Sequence, residues 1–201
     1  MNKSEIKSTP IETAAKLIRI ITVPPIMVAA LIIYTAVARN DIFMSALDVT
    51  MALFCLSVLP TLAYPFSLLP KLRVRGREGQ RSLAMILSAL GYAIGAAYAL
   101  IAGRSELLCF FFACYLISVL LLVLFNKALK IRASGHACSI AGPIVLLAVL
   151  SGVWGIVFGA VLYALSFWSS VYLKRHTVCE YLLGSATAFA ACLISYLIFL
   201  I

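Results

Sequence analysis

Long apolar stretches separated by short polar ones constrain the fold of this chain more than any other feature. The longest extends from residue 137 to residue 173 and contains no charged side chain. A transmembrane helix needs about 20 consecutive apolar residues, so this stretch is too long for one crossing. The dipeptide Ser151-Gly152 is the natural break within it. The sequence therefore predicts two membrane-spanning helices here, over 137–151 and 153–173.

The same pattern predicts seven crossings in all, and hence an all-α, polytopic membrane helix bundle of six to seven transmembrane helices. The predicted spans are residues 17–38, 47–69, 82–102, 107–125, 137–151, 153–173 and 181–201. Residues 1–16 form a polar N-terminal arm, and residues 17–201 form a single transmembrane domain. Pro24-Pro25 interrupts the first span, and we expect a kink there.

The composition excludes several other classes of protein. Hydrophobic residues make up 64% of the chain and charged residues 11%, against ~45–50% and ~25% in a soluble domain. An ordinary soluble domain, a disordered tail and a disulfide-stabilised secreted protein are therefore excluded. The net charge is +9, but the basic residues stand between apolar runs and not in an aromatic stacking groove. This favours a membrane and anionic lipid groups as partners, and no nucleic acid.

The distribution of basic residues predicts the orientation of the bundle. With seven spans, every lysine and arginine except Arg39 and Arg104 lies on the side of the N-terminal arm. Positive charge collects on the cytoplasmic side of membrane proteins. We therefore expect a multi-pass protein of the plasma (inner) membrane, with the polar stretches at 70–82, 126–136 and 174–180 in the cytoplasm. The sequence does not determine the oligomeric state.

One of the two histidines in the chain begins a predicted helix on this basic side. His136 follows Ser134-Gly135, and Lys130 and Arg132 precede them. The first N–H groups of a helix lack intrahelical acceptors, and the helix dipole favours an anion there. The segment therefore fits an anion-binding site. An ordinary helix cap followed by an interfacial histidine is the alternative.

The second histidine has a carboxylate one helical turn away. His176 and Glu180 are four residues apart and share one face of a helix. The carboxylate can accept one imidazole N–H, which fixes the tautomer and leaves the other nitrogen nucleophilic. A surface ion pair at a membrane boundary is the alternative.

Together the two segments resemble the type 2 phosphatidic acid phosphatase superfamily. Ser134-Gly135-His136 matches most of its P-S-G-H motif, with Ala133 at the proline position. Residues 169–184 resemble its third motif, S-R-x5-H-x3-D, with Ser169, His176 and the following Gly184 in register. The order of the motifs, with two spans between them, also agrees.

The resemblance implies a metal-independent lipid phosphatase without a cofactor. His176 is implied as the nucleophile that forms a phosphohistidine, Glu180 as the group that orients it, and His136 as the acid that protonates the leaving oxygen. Ser134 and the Gly135 N–H are implied as phosphate ligands. The substrate class is a lipid phosphate or diphosphate, such as phosphatidate, phosphatidylglycerophosphate or a polyprenyl phosphate.

Several positions differ from the family pattern. The first motif, K-x6-R-P, is absent from residues 70–82, and Ser170 stands where the third motif has arginine. Glu180 replaces aspartate. The bases predicted to bind phosphate instead are Arg77 and Arg81, which share a helix face, with the additional basic residues Lys71, Arg73, Arg75, Lys130, Arg132, Lys174 and Arg175.

Two other functions remain open from the sequence. A non-catalytic lipid-binding, phosphate-binding or transport protein on the same scaffold would need only the basic residues. A metal site of mixed nitrogen, sulfur and oxygen ligands is the other alternative, for which the available side chains are His136, Cys138, His176, Cys179 and Glu180. The two-histidine arrangement favours the phosphatase and predicts no metal.

Overall fold

The computed structural model of the protein describes residues 9–39, 41–69 and 76–201, and most of these residues are helical. Within this part of the chain there are seven helical segments and no strands. In chain order they are α1 (Pro10–Ile21), α2 (Pro24–Ala38), α3 (Ala46–Phe66), α4 (Gly76–Ile101), α5 (Glu106–Ala128), α6 (Gly135–Tyr172) and α7 (Val178–Phe199). The predicted all-α helix bundle is confirmed.

The first two helices form a bent pair. α1 and α2 meet at 53°, and the break falls immediately before Pro24 and Pro25. Proline lacks the N–H that would continue the helical hydrogen bonds, so it favours the first turn of a new helix. The predicted kink is confirmed. α1 begins at Pro10, and therefore includes the last part of the segment predicted as a polar arm.

The long helix α6 is broken at Gly152, where φ is 59° and ψ is −136°. Only glycine adopts such a conformation readily. A Cβ on Gly155 would overlap the carbonyl of Leu147, and one on Gly159 would overlap the side chain of Ile144. In each pair, one residue precedes Gly152 and the other follows it, and the second pair is farther from Gly152 on both sides. The two halves of α6 therefore pack closely and run antiparallel. The predicted division into two helices is confirmed.

The number of crossings follows from these bends. Among the described residues, five helices are long and apolar enough to cross a membrane, or six when the bent pair α1 and α2 forms one span. That count takes the 38-residue α6 as a single helix. Division of α6 at Gly152 adds one more crossing, which agrees with the predicted six to seven.

The two ends of the bundle differ in charge. At one end, Arg39 Nη1 donates to the carbonyl of Leu150 at 3.2 Å, and Tyr34 Oη lies 2.8 Å from Ser151 Oγ. We call this the opposite end. The other, which we call the basic end, contains the start of α6, where Ser134 N donates to the carbonyl of Glu180 at 2.9 Å. Its described basic residues include Lys16, Arg19, Arg81, Lys127, Lys130, Arg132, Lys174 and Arg175. Residues 135–151 therefore extend across the whole bundle.

The helix α5 lies at the centre of the core. Phe110, Phe111 and Phe112 are almost completely buried, and α5 packs against both α4 and α7. Gly95 of α4 allows this packing, because a side chain there would overlap the ring of Phe112. The core thus fixes α4 and α7 relative to each other, and these helices carry polar groups at the basic end.

Candidate active site

Both histidines line one cavity of about 480 Å³ that opens at the basic end. The mouth of this cavity is strongly cationic, and its lining there includes Arg19, Arg81, Arg132 and Arg175, with Glu78 as the acidic member. Deeper, the lining becomes apolar and includes Val28, Leu56, Val119 and Leu146. The cavity therefore has one end suited to an anion and another suited to a hydrocarbon chain.

The segment before His136 is held in place by main-chain contacts with α7. Ser134 N donates to the Glu180 carbonyl, and Gly184 allows close approach because a Cβ there would overlap the Ser134 backbone. On the other side, the Asn126 amide donates to the Ala133 carbonyl at 3.1 Å and accepts from Ala133 N at 3.3 Å. The two motifs recognised in the sequence are therefore in direct contact.

This contact makes Gly184 a sensitive position. In the Gly184→Ala variant the added methyl group meets backbone atoms, which cannot rotate away as a side chain can. We expect a loss of ~1–3 kcal/mol in stability, measured as a lower unfolding midpoint in detergent micelles. The control is Ala190→Val, which adds bulk on the exposed face of the same helix. An unchanged midpoint for Gly184→Ala would mean that the two segments are not packed as described.

His136 presents a buried nitrogen to the cavity. It occupies the second position of α6, after Ser134 caps the helix by accepting from Ala137 N at 3.1 Å. Its Nε2 is buried and has no hydrogen-bond partner among the described residues. Buried polar atoms are normally paired, so this nitrogen is a ready contact for a ligand oxygen. Gly135 and His136 both line the cavity, and the N–H groups of a first helical turn lack intrahelical acceptors.

His176 lies between α6 and α7, with its side chain 12% exposed. Its Nδ1 is 3.6 Å from Glu180 Oε2, an ion-pair distance longer than a hydrogen bond. The same carboxylate oxygen accepts from Thr177 N at 3.2 Å, while Thr177 Oγ1 accepts from Glu180 N. Glu180 therefore stabilises the start of α7 and faces one side of the imidazole. The other ring nitrogen, Nε2, is the one available for chemistry.

The surroundings of His176 favour its neutral form. Burial lowers the pKa of His176 from its ordinary value of 6.5, and the positive charges of Arg19 and Arg81 lower it further. The carboxylate of Glu180 opposes this shift but does not reverse it. A pKa below 6.5 means that more than half of the His176 side chains are uncharged at pH 6.5.

This shift can be measured by NMR. His136→Gln leaves His176 as the one remaining histidine, because the sequence contains two. We expect its ¹⁵N signals in detergent micelles to titrate with a midpoint below 6.5, and Arg81→Gln to raise that midpoint. Lys130→Gln, an exposed position outside the cavity lining, is the control. A midpoint at or above 6.5 would contradict the described environment.

The other residues predicted for the site differ in position. Arg81, Arg132 and Arg175 line the cavity with the histidines, and Arg132 Nε lies 3.7 Å from Glu180 Oε1. Lys174 lines a smaller adjoining pocket of about 350 Å³ on the other side of His176. Lys130 is exposed and lines neither space. The predicted ligands Lys71, Arg73 and Arg75, and the side chain of Arg77, lie outside the described residues.

Ser134 was predicted as a phosphate ligand, but unlike Gly135 it does not face the cavity. It is completely buried, and its hydroxyl accepts the N–H of Ala137. Gly135 lines the cavity, whereas Ser134 does not. Ser134 thus orients the helix start, and the donors nearest the cavity are the N–H groups that follow it.

Two residues at the site were missed by the sequence analysis. Asn126 fixes the loop before His136. Arg19, in the last turn of α1, lines the cavity and donates from Nη1 to Ser170 Oγ at 3.2 Å. The available signal was a single arginine within the apolar sequence Leu17-Ile18-Arg19-Ile20-Ile21, because a charge within a membrane helix usually has a partner or a function.

The set of metal ligands considered from the sequence is not assembled. No group of three His, Cys, Asp or Glu side chains in the described ranges is arranged to hold a metal ion. Cys138 is buried and Cys179 is exposed. The two cysteines therefore have different environments, although each lies close in sequence to a histidine.

Comparisons with known proteins add no relative. No protein-family model matches this chain, and no match was found among curated proteins or solved structures.

Proposed function

We propose that this chain is an integral-membrane phosphatase that hydrolyses a phosphate monoester or diphosphate of a lipid through a phosphohistidine, without a metal. The observation that carries the proposal is that both histidines line one cationic cavity with an apolar interior. A lipid phosphate has the same two-part chemistry. A protein that only binds phosphate needs the cations, but not a partly buried histidine whose Nδ1 faces a carboxylate.

The first step would use His176 as the nucleophile. Glu180 faces Nδ1, so the lone pair of Nε2 attacks phosphorus, a P–N bond forms, and the bond to the lipid oxygen breaks. His136 donates its proton to that leaving oxygen, and the lipid alcohol is released. A bound phosphate carries the negative charge that favours the protonated form of His136. The arginines at the mouth stabilise charge on the three remaining oxygens.

The second step would reverse these roles. His136 is neutral after the first step and accepts a proton from water, whose oxygen attacks phosphorus. The P–N bond breaks, which returns neutral His176 and releases inorganic phosphate. The net reaction consumes one water and produces a lipid alcohol and phosphate, or a lipid monophosphate and phosphate from a diphosphate.

A phosphate-release assay tests this function. Purified protein in detergent micelles with excess EDTA is given phosphatidate, phosphatidylglycerophosphate or a polyprenyl diphosphate. We expect release of phosphate from at least one, and a transient acid-labile, base-stable phosphoprotein from ³²P-labelled substrate. Binding of these lipids without turnover would contradict the proposal and favour a lipid-binding or transport protein.

We further propose that the basic end faces the cytoplasm, since positive charge collects there. Cys179 is the exposed cysteine of the described chain and lies at this end. A membrane-impermeant maleimide is expected to label it in inside-out vesicles but not in intact cells. Asp41→Cys, placed in a Cys179→Ser background, is expected to show the reverse. Labelling of Cys179 in intact cells would overturn the orientation.

A further inference from the structure

The contact between α1 and α6 joins two positions that are 151 residues apart. Ser170 stands where the third motif of the resembled family has arginine, and it is completely buried. Its hydroxyl accepts a hydrogen bond from the guanidinium of Arg19 at 3.2 Å. The positive charge missing from residue 170 is therefore supplied at that place by a side chain from the other end of the sequence.

The structure around Arg19 holds this charge at the cavity. Arg19 lies in the last turn of α1, and Thr22 closes that turn by donating from Oγ1 to the Ile18 carbonyl at 2.8 Å. The 53° bend that follows directs α2 away at a different angle. α1 packs along α6, which carries Ser170. The position of Arg19 thus depends on the packing of whole helices as well as on its own rotamer.

Arg19 is also electrostatically close to the proposed nucleophile. Its charge is, after burial, the largest cause that lowers the pKa of His176. Both side chains line the same cavity. A guanidinium has five N–H donors in a planar fork that matches two oxygens of a phosphate.

We propose that Arg19 is the phosphate-binding cation that replaces the missing arginine of the third motif, and that Ser170 orients it. This inference rests on the proposed function for its chemical meaning, but it is stated for a phosphoryl group as ligand. Arg19 binds two non-bridging oxygens of the phosphate that faces His176. α1 is then part of the active site and not only a membrane anchor.

Binding of orthovanadate and inorganic phosphate tests this proposal independently of turnover. We expect Arg19→Ala to weaken both affinities by roughly 10–100-fold, the size expected for one charge-assisted contact. Arg19→Lys keeps the charge but loses the planar fork, so its loss is expected to be smaller but measurable. The control is Lys16→Ala, since Lys16 lies one turn earlier on α1 and pairs with Glu12 at the surface. Isothermal titration calorimetry measures binding, and a thermal melt checks that each variant is folded.

The decisive variant moves the positive charge from residue 19 to residue 170. Arg19→Ala combined with Ser170→Arg places a guanidinium at the motif position, and we expect it to recover phosphate affinity to within about 10-fold of the wild type. Unchanged affinity in folded Arg19→Ala would overturn the proposal, whatever the double variant does. If the double variant does not fold, comparison of Arg19→Ala, Arg19→Lys and Lys16→Ala still decides the matter.

The outcomes separate this inference from the proposed function. If the wild-type protein turns over a lipid phosphate and Arg19→Ala binds phosphate normally, the proposed phosphatase function stands but the proposed role of Arg19 is wrong. If Arg19→Ala loses phosphate binding but the wild-type protein turns over no lipid phosphate, the role of Arg19 in binding is supported and the proposed phosphatase function is wrong.

Discussion

The His176→Ala variant is expected to release phosphate from a lipid substrate at least about 10³-fold more slowly than the wild-type protein, and to form no phosphoprotein. Alanine removes the nitrogen proposed to attack phosphorus, and no other described histidine faces Glu180. Binding of phosphate is expected to change far less, because the arginines at the mouth remain. A single-turnover assay with ³²P-labelled substrate measures both quantities.

His136→Ala provides the comparison that identifies the roles of the two histidines. Loss of a general acid costs about 10²–10⁴-fold when the leaving group is a poor one. It matters much less for an aryl phosphate, whose oxygen leaves without a proton. We therefore expect His136→Ala to form the phosphoprotein from an aryl phosphate but not from an alkyl phosphate, whereas His176→Ala forms it from neither. Cys179→Ser changes an exposed residue in the first turn of α7 and is the control, for which we expect unchanged activity. Equal effects of the two histidine variants on both substrates would contradict the assignment.

The largest expected effect on stability lies at the opposite end, at Asp48. This carboxylate is completely buried and accepts hydrogen bonds from Met44 N at 2.8 Å, Ser45 N at 2.9 Å and Tyr98 Oη at 2.7 Å. Arg104 Nε lies 3.2 Å from it. Asp48→Ala leaves these part-buried donors and the guanidinium of Arg104 without their acceptor, and we expect it to lower the free energy of unfolding by ~3–5 kcal/mol.

A matched exposed pair gives the control. Asp41 is paired with Arg39 at 2.6 Å at the same end of the bundle, but its side chain is 53% exposed. Asp41→Ala is expected to cost far less than Asp48→Ala, because water replaces the lost contact. Reversible unfolding in mixed micelles measures both variants. Similar losses for Asp41→Ala and Asp48→Ala would show that Asp48 is not the buried centre of this network.

The sequence was sufficient to predict the helices because membrane insertion depends on length and hydrophobicity. The division at Gly152 and the kink before Pro24 were predictable for a different reason. Glycine allows a backbone conformation that other residues avoid, and proline cannot continue a helix from the preceding turn. The proximity of His136 and His176 was predicted from the motifs, and the structure brings both to one cavity.

The missed parts of the site depend on packing between distant segments. Arg19 was counted as a basic residue of the N-terminal region, because nothing local to it indicates that α1 packs beside Ser170. Ser134 was predicted as a phosphate ligand from its position in the resembled motif. The same hydroxyl is also a good helix cap, and the capping contact with Ala137 is the one that forms. Local preferences therefore predicted the elements, but not which polar groups face the cavity.

The 53° bend after α1 also has a consequence for how the protein is made. The cavity combines Arg19 from the first helix with His176, which precedes the last helix. During synthesis the first helix leaves the ribosome long before the last, and the site is complete only after the final segment has entered the membrane. A nascent chain that stalls before His176 would carry Arg19 and His136 without the second histidine and its carboxylate. The phosphoryl chemistry proposed above would therefore begin only after α7 has been inserted, and a partly assembled protein would not act on membrane lipids.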